Sequence, residues 1–513
     1  MTKKSLFLIS SFLAGFSLMT VELISTRILA PYVGASIYTW TSVIGVILLG
    51  LSVGNYLGGY LIDKYRSLKT LFSFFILSSL FTAAIPILTT QAQFFVFLDL
   101  LLPIVIILIS IILFFLPAVF IGTLYPSILK FYSEDVGTIG LKSGQLSSLW
   151  SIGSIVGTFL TGFYFIGHIG NNTTIFFISA VLFINGLFFY RPKIKNLIIL
   201  IVISATIIYS PQLINKQNNV IFNHESNYYT IRVVDGVHNI FGNIRVLFLD
   251  FDAHSAEGLD GQQLNTYPEI YPVFSVLKSN IHNILTIGGG SYLIAKNFSD
   301  FYKNSKITVV EIDPAVTKTA EEFFNLKSYP IQTVISDGRI FLQKNNQKYD
   351  LIFSDAYNSF VSIPWHLATK EFNDLAKSHL TDGGIYAVNF TSAFYGKNSA
   401  FFRSMLSTFK KTFENYQIFS FGEVFPTDPQ NIILVGVNSN EQIDPLELRE
   451  KIMALKNGEL LSSKLVIKKP LDDNALVLTD NFAPIEKLMT PLINNYFSRY
   501  AEFYYSFLKN QKI

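Results

Sequence analysis

The chain has 513 residues, half of them hydrophobic and only 15% charged, with a formal net charge of +3 and a mean hydropathy of +0.40. A soluble domain carries about 25% charged residues, so composition argues against a wholly soluble protein, and the small net charge gives no footing for nucleic acid. With no cysteine in the chain, disulfides, thiolate metal sites and cysteine nucleophiles are ruled out.

The charge deficit is local, because the first ~210 residues hold nearly all the long apolar runs. Lys3-Lys4 and the run Leu6 to Met19 imitate a signal peptide, but no clean small-x-small cleavage site follows and more apolar spans come after. A membrane span needs ~20 apolar residues. Candidates are 5–28, 40–62, 70–90, 102–128, 143–167, 172–190 and 194–210, about seven spans within a bundle domain of residues 1–210. The stretch from Phe94 to Leu129 is broken by Pro103, Pro117 and Pro126, so it has room for more than one piece. Gly50, Gly54 and Gly58 form one stripe at four-residue spacing, and Gly153 and Gly157 another, a spacing that lets helices touch backbone to backbone. Glu22 sits well inside the first span, and an acid there needs a partner or a function. Arg27 and Asn55 are the candidate partners, and a polar pocket is the alternative.

Lys64, Arg66 and Lys69 follow the second span, Lys130 and Lys142 bracket the loop after the fourth, and Arg191, Lys193 and Lys195 follow the sixth. The positive-inside rule places these loops and the N-terminus in the cytosol. The expected location is the bacterial inner membrane with the C-terminal domain on the cytosolic side, which requires that 194–210 not cross fully or that 94–129 cross twice.

Residues 219–275 alternate like strands, as in Thr230-Ile231-Arg232-Val233-Val234 and Ile244 to Leu249, with turns at Asp235-Gly236 and Phe241-Gly242-Asn243. This predicts a small β unit, and Tyr267 to Leu277 then reads as helix. From 283 strand and helix alternate. The strands are 283–287, 307–311, 331–335, 350–354 and 384–389, which implies a doubly wound parallel sheet over 276–513. Ligands on such sheets bind outside the carboxyl ends of the strands. The first strand runs into Gly288-Gly289-Gly290-Ser291, where glycine lets backbone approach a ligand closely. Glu311 stands about 20 residues on, where an acid accepts hydrogen bonds from a ribose diol. Asp337-Gly338 ends the third strand, where an adenine amino group would lie, and Asp355 ends the fourth, at the reacting centre. Spaced GxGxxG, Walker A and phosphate-binding basic residues are all missing, so a nucleoside without phosphates fits better than NAD or ATP.

These residues bring a family into view. The chain resembles the membrane-fused members of the spermidine synthase (polyamine aminopropyltransferase) family. The resemblance is carried by Glu225-Ser226-Asn227-Tyr228, Leu249-Asp250, Gly288-Gly289-Gly290, Glu311-Ile312-Asp313, Asp337-Gly338-Arg339 and Tyr349-Asp350-Leu351-Ile352-Phe353-Ser354-Asp355. It also takes in Ile363 to Leu367, Thr369 to Phe372, Leu478-Thr479-Asp480 and the Glu22 to Gly59 region. It implies a multi-span α-helical membrane domain, then a small β unit and a Rossmann-like, class I methyltransferase-like α/β domain. The implied activity is binding of S-adenosylmethionine or its decarboxylated form as substrate, without metal, and transfer of the aminopropyl group to an amine. By the same resemblance Glu311 holds ribose, Asp337 the adenine amino group, and Asp355 the attacking amine. Expected partners are a small-molecule substrate and the lipid bilayer, with a homodimer left open.

The departures fall on the acceptor side. The family's acid after the glycines is Ser291, its Gln after the Tyr is Tyr229, its Tyr-His-Glu reads Tyr267-Pro268-Glu269, and its second acid beyond the catalytic one is Asn358, after Tyr357. The nucleoside half survives better than the amine half. A lyase that releases methylthioadenosine and a lactone from intact S-adenosylmethionine therefore stands beside aminopropyl transfer. Methyl transfer, nucleoside sensing and transport are further alternatives. His366 reads equally as site or scaffold, no cluster has metal-ligand spacing, and Tyr496 to Leu508 is expected to be a helix docked on the soluble domain.

Overall fold

The computed structural model describes residues 3–91, 100–133, 136–190, 193, 219–238, 242–259, 267–356, 363–422, 427–467 and 475–508. The chain forms two compact units, 1–218 with 224–230, and 219–223 with 231–513.

In the first unit five helices are long and apolar enough to cross a bilayer: α1 (Lys3–Val33), α2 (Ile37–Tyr65), α3 (Leu68–Thr89), α4 (Leu102–Tyr132) and α5 (Ile139–His168). A shorter apolar helix, α6 (Asn171–Leu187), follows. The stretch at 194–210 lies outside the described residues, as does 92–99. Proline 117 does not break α4; one turn, Ile111–Phe115, widens to a π-helix instead. Ser36 and Ser67 start α2 and α3 by accepting backbone N–H groups of Thr39 and Lys69.

Both glycine stripes serve packing. A Cβ on Gly54 would lie 2.1 Å from the Val119 carbonyl oxygen of α4, and one on Gly153 would lie 2.0 Å from the Phe12 carbonyl oxygen of α1. Gly15 returns the second contact, with the Trp150 carbonyl oxygen 2.1 Å from its Cβ position. Gly153→Val should therefore lower stability by about 1–3 kcal/mol or more through overpacking. Thermal melting in detergent checks this, with Gly162→Ala as the control, since nothing lies within 4 Å there.

Arg27 does not pair with Glu22. Its guanidinium donates to the carbonyls of Tyr228 (2.5 Å) and Ser226 (2.6 Å), while Glu225 accepts from the Asn171 backbone N–H at 2.5 Å. An arginine near a helix end reaches nearby carbonyls more readily than an acid more than one turn back on the same helix. Neither proposed partner holds Glu22, which makes no hydrogen bond or ion pair among the described residues.

The second unit carries two sheets. One has the order β1-β2-β3-β4, from β1 (Val220–Glu225), β2 (Thr230–His238), β3 (Gly242–Leu249) and β4 (Asp252–Gly258). Helix α7 (Tyr271–Leu277), entered through the 3-10 turn Tyr267–Ile270, leads into the second sheet. Its strands are β5 (Asn283–Ile287), β6 (Lys306–Glu311), β7 (Ile331–Ile335), β8 (Tyr349–Ser354), β9 (Leu380–Ser392), β10 (Tyr416–Ser420) and β11 (Gln430–Val437), in the order β7-β6-β5-β8-β9-β11-β10. Strands β5 to β9 pair in parallel. Contrary to an all-parallel sheet, β11 inserts antiparallel to both β9 and β10. This is the class I methyltransferase-like fold.

The crossover helices are α8 (Leu293–Phe301), α9 (Pro314–Phe323), α10 (Gly338–Lys344), α11 (Lys370–Ser378) and α12 (Ala400–Lys410). They start where a cap allows. Asp313 accepts from Ala315 N–H ahead of Pro314, and Thr369 accepts from Phe372 N–H. The core runs through Ile284, Val309, Leu351, Phe353 and Ala387, all buried, as expected of parallel strands covered on both faces. Asp350, within the recognised motif, is part of this framework. Its carboxylate accepts from the amides of His282 (2.9 Å) and Asn283 (3.0 Å) and from the Thr381 hydroxyl (2.8 Å). Helices α13 (Pro445–Met453), α14 (Gly458–Lys464) and α15 (Ile485–Leu508) complete the unit. The C-terminal helix docks through Phe497, whose ring meets that of Phe251 edge-on at 5.8 Å.

Candidate active site

The tips of β5, β6 and β8 are tied together at the backbone. Gly288 N–H donates to the Val310 carbonyl at 2.9 Å, and Asp355 N–H donates to the Ile287 carbonyl at 2.8 Å. Gly288 has φ +97° and Gly290 φ +53°, both in the region that favours glycine. A side chain on Gly288 would meet the Asp355 carbonyl oxygen at 2.3 Å, so the turn passes directly against the end of β8.

Above this turn lies a cavity of about 560 Å³, lined by Gly288 to Gly290, Tyr267, Asp355 and Asn389, by β4 residues including Asp252 and His254, and by Tyr496 and Arg499 of α15. Asp355 is its centre. Tyr267 donates its hydroxyl to Oδ2 at 2.7 Å, and the Asn389 amide donates to Oδ1 at 2.8 Å. Burial pushes the Asp355 carboxyl above the usual aspartate range, opposed by these two hydrogen bonds. The result is an oriented carboxylate poised to accept a proton or hold a cation. Burial also lowers His254 to about 4, so it faces the cavity as a neutral ring.

Of the other expected residues, Glu311, Asp337, Gly338, Glu269 and Tyr229 are not among those that line the cavity. Glu311 is buried, and its carboxylate accepts from the N–H groups of Gly289 (2.7 Å) and Asp313 (2.9 Å). Burial raises its pKa against those bonds. It shapes the glycine turn from behind. Asp337 caps α10, its Oδ1 accepting from Arg339 and Ile340 N–H at 2.9 Å each, while Oδ2 meets His366 Nε2 at 2.9 Å. The His366 hydrogen bond, ahead of the backbone ones, holds Asp337 below the usual range. Gly338 packs on Ile287, with a Cβ position 2.4 Å from Cγ2. Glu269 is half-buried on the turn before α7, and burial raises its carboxyl. Tyr229 falls in the first compact unit, next to Tyr228. Tyr357 and Asn358 lie outside the described residues.

Ser291 differs most from expectation. It is fully buried, and its hydroxyl donates to Glu257 Oε1 at 2.8 Å instead of lining the cavity. Glu257 is neutralised by Lys296, which donates to both carboxylate oxygens at 2.7 and 2.8 Å and to the Phe324 carbonyl at 2.9 Å. Sequence reading missed Asn389, although it closes the apolar run of the fifth strand, where the strand-end rule applies. It also missed Glu257, Lys296 and Arg499, which lie on segments with no motif of their own.

Residues 269–446 match the spermine/spermidine synthase domain. The chain is 25% identical to a probable polyamine aminopropyl transferase of Bifidobacterium longum over 345 residues, covering 63% of this chain and 75% of that one. It is 29% identical to a polyamine aminopropyltransferase of Vibrio vulnificus over 222 residues, covering 40% of this chain and 68% of that one. The crystal structure of spermidine synthase from Thermotoga maritima aligns with a TM-score of 0.40 at 20% identity, covering 49% of this chain and 85% of that one.

Proposed function

We propose that this chain, whose residues 269–446 form a spermine/spermidine synthase domain, is a membrane-bound transferase acting on an S-adenosylmethionine-type nucleoside, in the first instance the decarboxylated form. The observation that carries the reading is Asp355, clamped by Tyr267 and Asn389 at the carboxyl end of β8 and touching the glycine turn. A neutral amine held there attacks the aminopropyl carbon next to the sulfonium. The new C–N bond forms as the C–S bond breaks, the electron pair stays on sulfur to give methylthioadenosine, and the amine's proton passes to Asp355 and then to solvent. Asp355 and Asp252 both line the cavity and would offer carboxylates to a sulfonium bound there. Gly288 to Gly290 form the floor for the nucleoside.

The burial of Ser291 supports a second reading. No carboxylate from that position reaches the cavity to bind an aminopropyl ammonium, so intact S-adenosylmethionine can be the substrate. Its own carboxylate then displaces the thioether intramolecularly, giving homoserine lactone and methylthioadenosine. Among the described residues five helices are long and apolar enough to cross a bilayer and a sixth, Asn171–Leu187, is shorter; six crossings would return the chain to the side of its N-terminus. With the basic loops, this supports a cytosolic active site.

Incubation of the full chain in detergent with either nucleoside, without an amine and with putrescine or 4-aminobutyrate in turn, tests these readings. Amine-dependent methylthioadenosine is the expected result. Release without an acceptor selects the lyase, S-adenosylhomocysteine selects methyl transfer, and binding without product overturns the enzyme reading.

A further inference from the structure

We propose that the cavity takes a ligand with an ammonium at its inner end and a carboxylate at its mouth, the carboxylate being held by Arg499. This rests on the transferase reading and names the substrate chemistry the same cavity selects. At the inner end Asp355 offers its carboxylate, and Asn389 offers a second acceptor. Asn389 is only 4% exposed, its amide N–H is committed to Asp355, and its Oδ1 has no hydrogen-bond partner among the described residues. A buried acceptor left unpaired is costly, so the pair is built to receive N–H donors, and the buried Asp252 adds preference for a cation.

The mouth has the opposite character. Arg499 on α15 is exposed and forms no ion pair among the described residues. Its guanidinium carbon lies 5.7 Å from the centre of the Tyr496 ring. That ring is fixed, because its hydroxyl donates to Asp428 Oδ1 at 2.6 Å. A guanidinium stacked on an anchored ring keeps its edge N–H groups free to form a forked contact with a carboxylate. Arg499 is the single Lys or Arg among the described cavity-lining residues. Lys296, the nearby alternative, is spent on Glu257. A diamine stretched from Asp355 to the mouth would bring its second ammonium towards this cation, whereas a zwitterion is matched at both ends.

A carboxylated amine acceptor meets both ends at once, whereas intact S-adenosylmethionine, whose ammonium and carboxylate share one carbon, offers its carboxylate to Arg499 and leaves Asp355 to the acceptor. The test uses the full chain in detergent, wild type, Arg499→Gln and Arg499→Lys, with affinities measured calorimetrically. The probes are methylthioadenosine, then S-adenosylmethionine against its decarboxylated form, and 4-aminobutyrate against butylamine. In the wild type one carboxylated probe should bind roughly tenfold or more tighter than its carboxylate-free counterpart. Arg499→Gln should abolish that preference, Arg499→Lys should keep part of it, and the pair affected identifies the source. The proposal is overturned if the wild type shows no preference, if Arg499→Gln retains it, or if that variant weakens both members of a pair equally. Methylthioadenosine should bind all three proteins alike. If it binds none, the nucleoside reading fails, while the amine pair still decides the role of Arg499.

Discussion

Asp355→Asn should reduce turnover by about 10²–10⁴-fold, the usual worth of a positioned general base, and leave methylthioadenosine affinity unchanged. The amide preserves shape and removes the proton acceptor. The fold should not suffer. A carboxyl whose folded pKa is raised contributes stability below the ordinary carboxylate range that is lost as pH rises through the folded pKa. At neutral pH the substitution is therefore neutral or stabilising. Activity has the converse dependence, since the base must be ionised. It should fall as pH drops through a value above that of an ordinary aspartate. Tyr267→Phe removes a hydrogen bond that favours the ionised form, so the acid limb of the kcat profile should move to higher pH. A limb that stays in place, or wild-type turnover in Asp355→Asn, rules out the base assignment.

Gly288→Ala should be the most damaging single-methyl change in the second compact unit. The backbone there sits at φ +97°, and the added carbon would lie 2.3 Å from the Asp355 carbonyl oxygen. Backbone strain of about 1–3 kcal/mol and a similar overpacking cost together suggest a loss on the order of 2–6 kcal/mol. The obstructing atom is main chain of the residue that carries the reactive carboxylate, so relief of the clash moves Asp355. A 1 Å misplacement can cost about 10²-fold in rate. Melting temperature and turnover should therefore fall together. Gly45→Ala, with nothing within 4 Å, should change neither. Wild-type stability in Gly288→Ala would show that the turn can relax away from β8.

The strand-end residues were legible because parallel strands are short buried runs, and Ile284 to Ile287 or Leu351 to Ser354 can hardly be anything else. A residue that interrupts such a run with charge stands out, which is how Glu311, Asp337 and Asp355 were found. Direction was not legible. The run Ile432 to Val437 is as apolar as its neighbours, and nothing in it announces that β11 runs backwards between β9 and β10. Nor could spacing show that Asp337 faces a helix start and His366, or that Ser291 turns away from the cavity. Those outcomes depend on partners such as Glu257, brought close by the fold from a separate sheet. Arg499 is hidden for the same reason, lying more than 140 positions beyond Asp355 in an aromatic helix that reads as plain packing.

The inward turn of Ser291 bears on how such a site changes over generations. Restoring the acid that the family resemblance leads one to expect takes more than one substitution. An aspartate at 291 would set a second carboxylate beside Glu257, out of water, where one of the two must stay protonated. Replacing Glu257 first would strand Lys296, which is 5% exposed at its side chain and has no other carboxylate among the described residues. Each single step passes through a less stable protein, so an acid at 291 and a neutral residue at 257 would have to be introduced together.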